Sequence, residues 1–326
     1  MKLLVTGATG KLGQVFLPAF LRAPRFDGAR VVALCNNRTV PETDRVSVVK
    51  GSLNDPDTLA RALDGVTHVL HMAAVKESPD MAMDVAVKGM FLMLEAYRNS
   101  PTANQFILLG GDCSVGHIFH GYDGPITEKD ERRAYPGCYA LTKVLEEVML
   151  EQYGHQYGLN HCCLRAPWIM EKDDFKYALS FGPDQFGGPL WTDLMTPEAV
   201  AAVQGGGHVP LMRDRTGAPL KRNFVHVQDL VSAILAALDA PQARGQTYNI
   251  AMDEPVDYGR VAAIAQSEYG MQPVEIPTDF HSNWLDNTKA RHELGWRPEI
   301  GLDALMARAF TYQRGAEEPR KIWYPG

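Results

Sequence analysis

The chain opens with Met1-Lys-Leu-Leu-Val-Thr-Gly-Ala-Thr-Gly-Lys-Leu-Gly13, and this stretch decides the fold class. Its apolar run at residues 3–5 predicts a buried strand that breaks into a turn with Gly7, Gly10 and Gly13. A helix is predicted over residues 14–21. Such a turn lets backbone approach a pyrophosphate at the positive end of the helix. Because turns collect glycine for conformational reasons alone, an ordinary turn remains the alternative at this point.

Strands and helices alternate along the next part of the chain. Strands are predicted at residues 30–34, 46–49, 66–72, 105–109, 162–165 and 247–250, and helices at 56–63, 81–98, 139–157 and 227–238. The strands are apolar on both faces, which predicts an α/β fold built on a Rossmann-type, doubly wound parallel sheet. The alternation fails between residues 168 and 222, a stretch rich in glycine, proline and aromatic residues. We interpret it as a variable, substrate-facing region; the alternative is a disordered insertion. Its aromatic content favours an ordered structure.

This alternation divides the chain into two predicted domains. The dinucleotide-binding Rossmann domain comprises residues 1–167 and 222–251. A smaller α/β substrate-binding domain comprises residues 168–221 and 252–326, with helices near 258–269 and 302–312.

Composition narrows the possible partners and compartments. A net charge of −7 gives no support to nucleic-acid binding, and no apolar run approaches the length of a membrane span. The cysteines are odd in number, five, without paired metal spacing, which indicates reduced thiols in a cytoplasmic protein. His68 and His71 point to opposite faces of a strand, and His117 and His120 form a loop pair suited to a substrate contact, so no metal site is expected.

The second informative stretch is Tyr139-Ala-Leu-Thr-Lys143. Tyrosine and lysine at i and i+4 lie on one face of a helix. A nearby ammonium stabilises phenolate, so the pair predicts a tyrosine of lowered pKa that can exchange a proton with a substrate hydroxyl. An amphipathic helix can also contain such a pair by chance.

The order of these motifs resembles the extended short-chain dehydrogenases/reductases, the family of NAD-dependent epimerases and dehydratases that act largely on sugars and sugar nucleotides. The glycine turn, the strand ending His71-Met-Ala-Ala74 and the Tyr-x-x-x-Lys pair occur in the family's order. Later stretches are similar to its further motifs: Leu164-Arg-Ala-Pro167, Arg222-Asn-Phe-Val-His-Val-Gln-Asp229, Tyr248-Asn-Ile and Asn287-Thr-Lys-Ala-Arg-His-Glu-Leu-Gly-Trp296.

The resemblance implies a role for individual residues. Tyr139 would be the catalytic acid/base, and Lys143 would hold the nicotinamide ribose and lower the pKa of the tyrosine. Arg222 matches the arginine that reaches toward substrate phosphates in sugar-nucleotide members. The residues expected at the cofactor, besides Tyr139 and Lys143, are Gly7, Thr9, Gly10, Lys11, Leu12, Gly13, Asn36, Arg38, Ser52, Leu53, Ala73 and Ala74.

Two departures from the family pattern affect the expected mechanism. The family usually has serine or threonine at the end of the fifth strand, where alignment of this sequence places Gly111. Ser114 and Asp112 are the candidates for the missing polar contact to substrate, with Ser114 slightly favoured as a catalytic residue. The alternative is that no residue fills this role. The family also commonly has asparagine where Ala86 stands.

Cofactor choice depends on the end of the second strand. NAD-preferring members carry an acidic residue there, whereas this chain has Cys35, followed by Asn36, Asn37 and Arg38. Arg38 could pair with a 2′-phosphate, so the residues slightly favour NADP over NAD. Ser52 stands where the family often has aspartate beside the adenine.

The sequence thus predicts an NAD(P)-dependent oxidoreductase or epimerase acting on a hydroxyl of a sugar, sugar acid or sugar nucleotide. The alternative is a catalytically degenerate NADP(H)-binding sensor that acts through a partner. The resemblance also implies a homodimer, in which the helices at 81–98 and 139–157 pair across a two-fold axis.

Overall fold

A computed structural model describes residues 1–318, so residues 319–326 of the predicted substrate-binding domain lie outside the described part. Within it, a seven-stranded sheet has the order β11-β6-β5-β4-β1-β2-β3, with every neighbouring pair parallel. The Rossmann-type α/β prediction is therefore confirmed. The strands are β1 Lys2–Thr6, β2 Arg30–Cys35, β3 Val46–Lys50, β4 His68–His71, β5 Gln105–Gly111, β6 His161–Ala166, β7 Trp168–Met170, β8 His208–Arg213, β9 Lys221–Arg222, β10 Phe224–His226, β11 Gln246–Asn249, β12 Val256–Asp257 and β13 Gln272–Pro277.

Helices cover both faces of this sheet. They are α1 Lys11–Arg22, α2 Pro56–Leu63, α3 Pro79–Ala82, α4 Met90–Arg98, α5 Cys138–Tyr157, α6 Asp174–Ala178, α7 Pro197–Val203, α8 Val227–Ala237, α9 Tyr258–Tyr269, α10 Thr288–Glu293 and α11 Leu302–Thr311. Leu3 and Val5 belong to the core that contains α1 and α8, whereas Leu4 belongs to the core that contains α2, α4 and α5. Alternate residues of one apolar strand thus pack on opposite faces, as in a buried parallel sheet.

Two predicted helices differ in detail. The first begins at Lys11 rather than residue 14, so Gly13 lies in its first turn, where a β-carbon would approach the Ala8 carbonyl oxygen to 2.4 Å. The helix predicted over 81–98 runs from α3 through a π-helical segment, Met83–Gly89, into α4. Ala86, one of the family departures, is buried in that segment.

Residues 168–222, where the predicted alternation fails, contain regular secondary structure. They form β7, α6, α7 and β8, and β8 pairs in parallel with β13. Neither β8 nor β13 was predicted, because both are only partly apolar and depend on each other for pairing. A separate apolar core joins α6, β8, α9 and α11, and it includes Trp191 and Phe175. The carboxyl ends of β4, β5 and β6 face this second core, which places a crevice between the two parts.

Candidate active site

The glycine turn between β1 and α1 is shaped for close approach of backbone to a ligand. Gly7 has a φ of +72°, and a β-carbon there would lie 2.8 Å from the Met72 carbonyl oxygen and 2.9 Å from the Ala73 amide nitrogen. α1 follows Gly10 directly, and no side chain caps it. Free amides at the positive end of a helix suit a pyrophosphate. The turn, with Ala73 beside it, therefore fits the dinucleotide that the sequence predicts.

Replacing Gly7 with alanine is expected to lower the free energy of unfolding by about 2–4 kcal/mol, from a strained φ and a backbone collision, and to weaken NADH binding. Gly28→Ala is the matched control, since Gly28 has the same φ of +72° but open space around it. It should lose only about 1 kcal/mol, the cost of the positive φ. Urea unfolding and NADH titration of both variants make the comparison, and equal losses would contradict the role of close packing.

The Lys11 side chain is turned away from the glycine turn. Its Nζ donates to the carboxylate of Asp174 and to the Ile169 carbonyl at 3.2 Å, and it lies 4.2 Å from the centroid of the Phe186 ring. Leu12 is buried in the core against the sheet. A contact of these two residues with a cofactor would therefore be made through their backbone at the start of α1, and their place at the cofactor stays a prediction.

The residues predicted for the adenosine half of the cofactor lie where β2 and β3 end. Cys35 is buried, and its carbonyl accepts a 2.9 Å hydrogen bond from the amide of Gly51, the residue before Ser52. This bond brings Ser52 and Leu53 beside the end of β2. Asn36 and Arg38 are exposed on the loop that follows.

Tyr139 and Lys143 lie one turn apart near the start of α5, as predicted. The Lys143 ammonium donates to the Leu109 carbonyl at 3.0 Å and to Glu146 Oε2 at 2.7 Å, and it lies 6.0 Å from the centroid of the Tyr139 ring. Burial opposes the charge of Lys143, but the Glu146 carboxylate outweighs burial and raises its pKa. Burial also raises the pKa of Tyr139. The pKa of Tyr139 thus shifts in the direction opposite to the one expected from the sequence, because burial penalises the phenolate and the nearby Cys113, Tyr135 and Glu146 add to the rise.

Ser114 does not line the cavity that contains Tyr139. A short 3₁₀ helix, Asp112–Val115, follows β5 and directs the Ser114 hydroxyl inward, where its one proton is shared between the Gly111 carbonyl at 2.9 Å and Glu147 Oε1 at 2.8 Å. The Ser114 side chain is fully buried. The slight preference for Ser114 as the catalytic and substrate-binding hydroxyl is corrected accordingly: of the two candidates, Ser114 and Asp112, only Asp112 lines the cavity.

Asp112 begins a chain of polar contacts that crosses the cavity. Its carboxylate lies 2.6 Å from His117 Nδ1, and His117 Nε2 lies 2.8 Å from Arg222 Nη2. Since a guanidinium only donates, Nε2 must accept, and the proton on Nδ1 is donated to Asp112. His117 thus joins the two predicted substrate-binding residues, in a left-handed conformation with a φ of +48°.

The cavity occupies about 480 Å³ between the carboxyl ends of the strands and the second core. Lys76 and Glu77, on the loop after β4, also line it and were missed. Their position directly after β4 could have predicted this placement, because polar residues that follow a parallel strand face the ligand crevice. The lining comprises Lys76, Glu77, Gly111, Asp112, Cys113, His117, Ile118, Phe119, Tyr135, Pro136, Tyr139, Ala166, Pro167, Trp168, Gly188, Pro189 and Arg222.

Metal sites, membrane spans and disulfides were also sought among the described residues. Among residues 1–318, no group of three histidine, cysteine or acidic side chains is arranged to hold a metal ion. No helix in the same range is long and apolar enough to cross a membrane. The cysteines have free thiols, and four of the five are buried.

Comparison with known proteins decides the family. The sequence model of the NAD dependent epimerase/dehydratase family matches residues 3–251. The chain belongs to this family. The resemblance to extended short-chain dehydrogenases/reductases is thereby confirmed, and with it the prediction of an enzyme of the NAD(P)-dependent oxidoreductase or epimerase type.

Individual proteins resemble the chain over nearly its whole length. UDP-glucose 4-epimerase of Mycolicibacterium smegmatis is 28% identical, with 98% of this chain and 100% of that protein covered. UDP-glucuronate 4-epimerase 5 of Arabidopsis thaliana is 25% identical, with 97% and 76% covered. A short-chain dehydrogenase/reductase superfamily protein from Agrobacterium tumefaciens, solved with bound NAD, superposes with a TM-score of 0.81 at 23% identity, covering 95% of this chain and 96% of its own.

Proposed function

We propose that the protein oxidises, or oxidises and re-reduces, a ring hydroxyl of a sugar-type substrate that carries an anionic group, a sugar nucleotide or a sugar acid. Its proton-transfer residue would be Tyr139. The observation that carries the proposal is the presence of Tyr139 and Arg222 in one cavity. Relatives of the chain are a UDP-glucose 4-epimerase, UDP-glucuronate 4-epimerases and a dTDP-glucose 4,6-dehydratase, which supports this substrate class.

Arg222 is the residue proposed to bind the anion. It is 2% exposed, and its guanidinium lies 4.6 Å from the centroid of the Trp168 ring. Within residues 1–318, Nε and Nη1 of Arg222 make no hydrogen bond of good geometry. The Tyr258 hydroxyl lies nearby: burial raises the pKa of Tyr258, and the Arg222 guanidinium opposes that rise. A buried, incompletely paired guanidinium is costly, and an anionic ligand would offset that cost.

The chain's own residues divide the work in this proposal. Tyr139 takes the proton of the reacting hydroxyl and can return it. The chemistry supplied by bound NAD(P) is hydride transfer. Asp112 keeps His117 in the tautomer that accepts from Arg222, which orients the guanidinium in the cavity. Trp168 and Pro189 exclude water from one wall.

A substrate panel tests this function. UDP-glucose, UDP-glucuronate, dTDP-glucose and free glucuronate are offered with NAD and with NADP, while reduced nicotinamide is followed by absorbance and products by NMR. Turnover of an anionic sugar is expected, and Arg222→Met should raise its KM by about 10–100-fold through loss of charge-assisted hydrogen bonds. Lys221→Met, the exposed neighbour on β9, is the control. Turnover of neutral sugars alone would contradict the proposal.

A preference for NADP over NAD is a further part of the proposal. It is supported by the absence of a carboxylate among residues 35–38 and by the exposed position of Arg38. Related structures have been solved with NAD, at identities that speak only for the fold. The two oxidised cofactors in the panel separate these possibilities.

We also propose a homodimer, formed through the helices that precede β5 and β6. Large apolar side chains remain exposed on both: Met81, Met83 and Phe91 on the stretch from α3 to α4, and Leu141 and Tyr157 on α5. α4 and α5 pack side by side. Exposed apolar side chains on two adjacent helices support an interface between subunits at this place. The cytoplasmic location remains a prediction.

A further inference from the structure

The Cys113 thiol stands at the end of β5, in a place that the strand itself leaves without a side chain. β5 ends at Gly111, and a β-carbon there would lie 2.9 Å from Cys113 Sγ. The 3₁₀ helix after β5 therefore turns the sulfur back over Gly111, into the space that a side chain at this position would take. Gly111 and Cys113 both line the cavity that contains Tyr139. Cys113 thus brings a thiol to the cavity, whereas the Ser114 hydroxyl points away from it.

Cys113 lies close to the proposed proton-transfer residue. Burial raises the pKa of Tyr139 most, and among its ionisable neighbours Cys113 adds most to that rise. Burial lowers the pKa of Lys76, and Cys113 is the neighbour that opposes this lowering most. Because the effect of one charge on another falls with distance, Cys113 lies at the same wall of the cavity as these two residues.

The Cys113 thiol keeps its proton at neutral pH. Cys113 is 4% exposed, and burial, together with the neighbouring Asp112 carboxylate, raises the pKa of the thiol to about 12. Such a thiol is neither a nucleophile nor a metal ligand, because both roles need the thiolate. It can still form a hydrogen bond. Its S–H is a weak donor to a neutral oxygen and a better donor to an oxygen that carries negative charge.

A second feature of the cavity indicates that a ligand binds beside Cys113. Arg222 lines the same cavity and is 2% exposed, and its Nε and Nη1 atoms lack a hydrogen-bond partner within residues 1–318. An anionic group bound to Arg222 would hold the rest of a substrate in the 480 Å³ that Tyr139 and Cys113 also line.

We propose that the Cys113 S–H donates a hydrogen bond to the substrate oxygen that exchanges its proton with Tyr139, which makes Cys113 a further catalytic residue. Negative charge grows on this oxygen as its proton leaves for Tyr139, and the S–H donor stabilises the oxygen most at that point. The substrate proton ends on Tyr139 and the thiol proton stays on sulfur, so Cys113 is unchanged by the reaction. The inference deepens the proposed function and rests on Tyr139 as its acid/base.

Two substitutions of Cys113 separate hydrogen bonding from packing and from proton transfer. Kinetics are measured with the full chain on whichever sugar of the panel it turns over. Cys113→Ala should lower kcat by about 10–100-fold, less than the loss of a stronger oxyanion donor, and leave NADH affinity in place. Cys113→Ser should keep most of the activity, since its hydroxyl donates a hydrogen bond but is too weakly acidic to deliver a proton. Cys138→Ala is the matched control and should keep full activity, because Cys138 is next to Tyr139 in the chain but does not line the cavity.

A second pair of variants tests the position of the donor. The backbone at Gly111 is extended, with a φ of −150°, so it accepts any residue once the sulfur is gone. Gly111→Ser combined with Cys113→Ala returns a hydroxyl to the space that Sγ fills, and it should recover about tenfold of the lost kcat. Gly111→Ala combined with Cys113→Ala adds the β-carbon without a hydroxyl, and it should recover nothing.

The S–H stretching band of Cys113 provides a readout that does not depend on rate. In the infrared spectrum it is the band that Cys113→Ser removes. The band should move to lower frequency when the sugar that the chain turns over is added with NADH or NADPH, because this complex holds the sugar hydroxyl in place without reaction. A band that stays in place overturns the inference.

The kinetic outcomes distinguish this inference from the proposed function. Unchanged kcat in Cys113→Ala overturns the inference, as does a Cys113→Ser variant no more active than Cys113→Ala, or a Gly111→Ser combination no better than its control. Turnover of neutral sugars alone contradicts the proposed anionic substrate but leaves every comparison at Cys113 valid, since the thiol acts on the reacting oxygen. A chain that turns over no sugar of the panel overturns both.

Discussion

Replacing Tyr139 with phenylalanine is expected to reduce kcat by about 10²–10⁴-fold, the usual contribution of a positioned acid or base. The phenol lines the cavity beside Asp112, and the change removes its oxygen while keeping the ring. NADH affinity should remain nearly unchanged, because the glycine turn that fits the pyrophosphate is intact. Steady-state kinetics on the substrate identified by the panel, with NADH titration by fluorescence, measure both quantities.

The control for this change is Tyr135→Phe, because Tyr135 lines the same cavity. It should retain most of the activity. Persistent turnover in Tyr139→Phe would contradict the acid/base assignment. A wild-type chain that binds NADPH but turns over no substrate would instead favour the sensor alternative, for which proton transfer is unnecessary. Since burial raises the pKa of Tyr139, oxidation by the wild type should accelerate as pH rises toward that pKa.

The second large effect concerns stability. Glu147→Ala is expected to lower the free energy of unfolding by about 3–5 kcal/mol, because it leaves a buried charge without its partner. Glu147 accepts from Arg165 Nη2 at 2.7 Å and Nε at 3.1 Å, and Ser114 and Arg132 donate to it as well. Arg165 is 1% exposed and lies on β6, beside β5 in the centre of the sheet. Urea unfolding at neutral pH measures the loss.

Glu151→Ala is the matched control, because Glu151 also binds Arg132 but its side chain is 42% exposed. It should change the free energy of unfolding by less than about 1 kcal/mol. Burial opposes the charge of Glu147, yet Arg165, Ser114 and Arg132 together lower its pKa. Its contribution is therefore present above the usual carboxyl pKa and is lost as pH falls through the lowered value in the folded protein. Wild type should destabilise more steeply in acid than Glu147→Ala, and parallel curves would contradict this account.

The parts of the site that the sequence predicted correctly depend on local geometry. The apolar run at residues 3–5 predicted β1, and its alternate side chains pack in the two cores on opposite faces of the sheet. The spacing of Tyr139 and Lys143 placed them on one face of α5, because residues four apart in a helix are neighbours whatever surrounds the helix. Glu146 follows Lys143 by three residues, a spacing that also places two side chains side by side on a helix. The resulting rise in the pKa of Lys143 was not predicted.

The predictions that needed correction depend on contacts between distant segments. Ser114 is turned inward by the 3₁₀ helix after β5, and its hydroxyl binds Glu147 of α5. The Lys11 ammonium binds Asp174, a residue of α6, a contact that the sequence did not predict. Spacing along the chain carries no information on either contact, since each side chain takes the partner that tertiary packing brings within reach.

By itself, the sequence determined the strand–turn–helix unit, the parallel α/β class and the Tyr139–Lys143 pair, because these follow from periodicity and from the conformational freedom of glycine. Only the tertiary structure decided which polar groups meet at the cavity: Asp112 with His117 and Arg222, and the Cys113 thiol over Gly111. Charges interact through space and burial, and both are set when loops from different strands converge at one edge of the sheet.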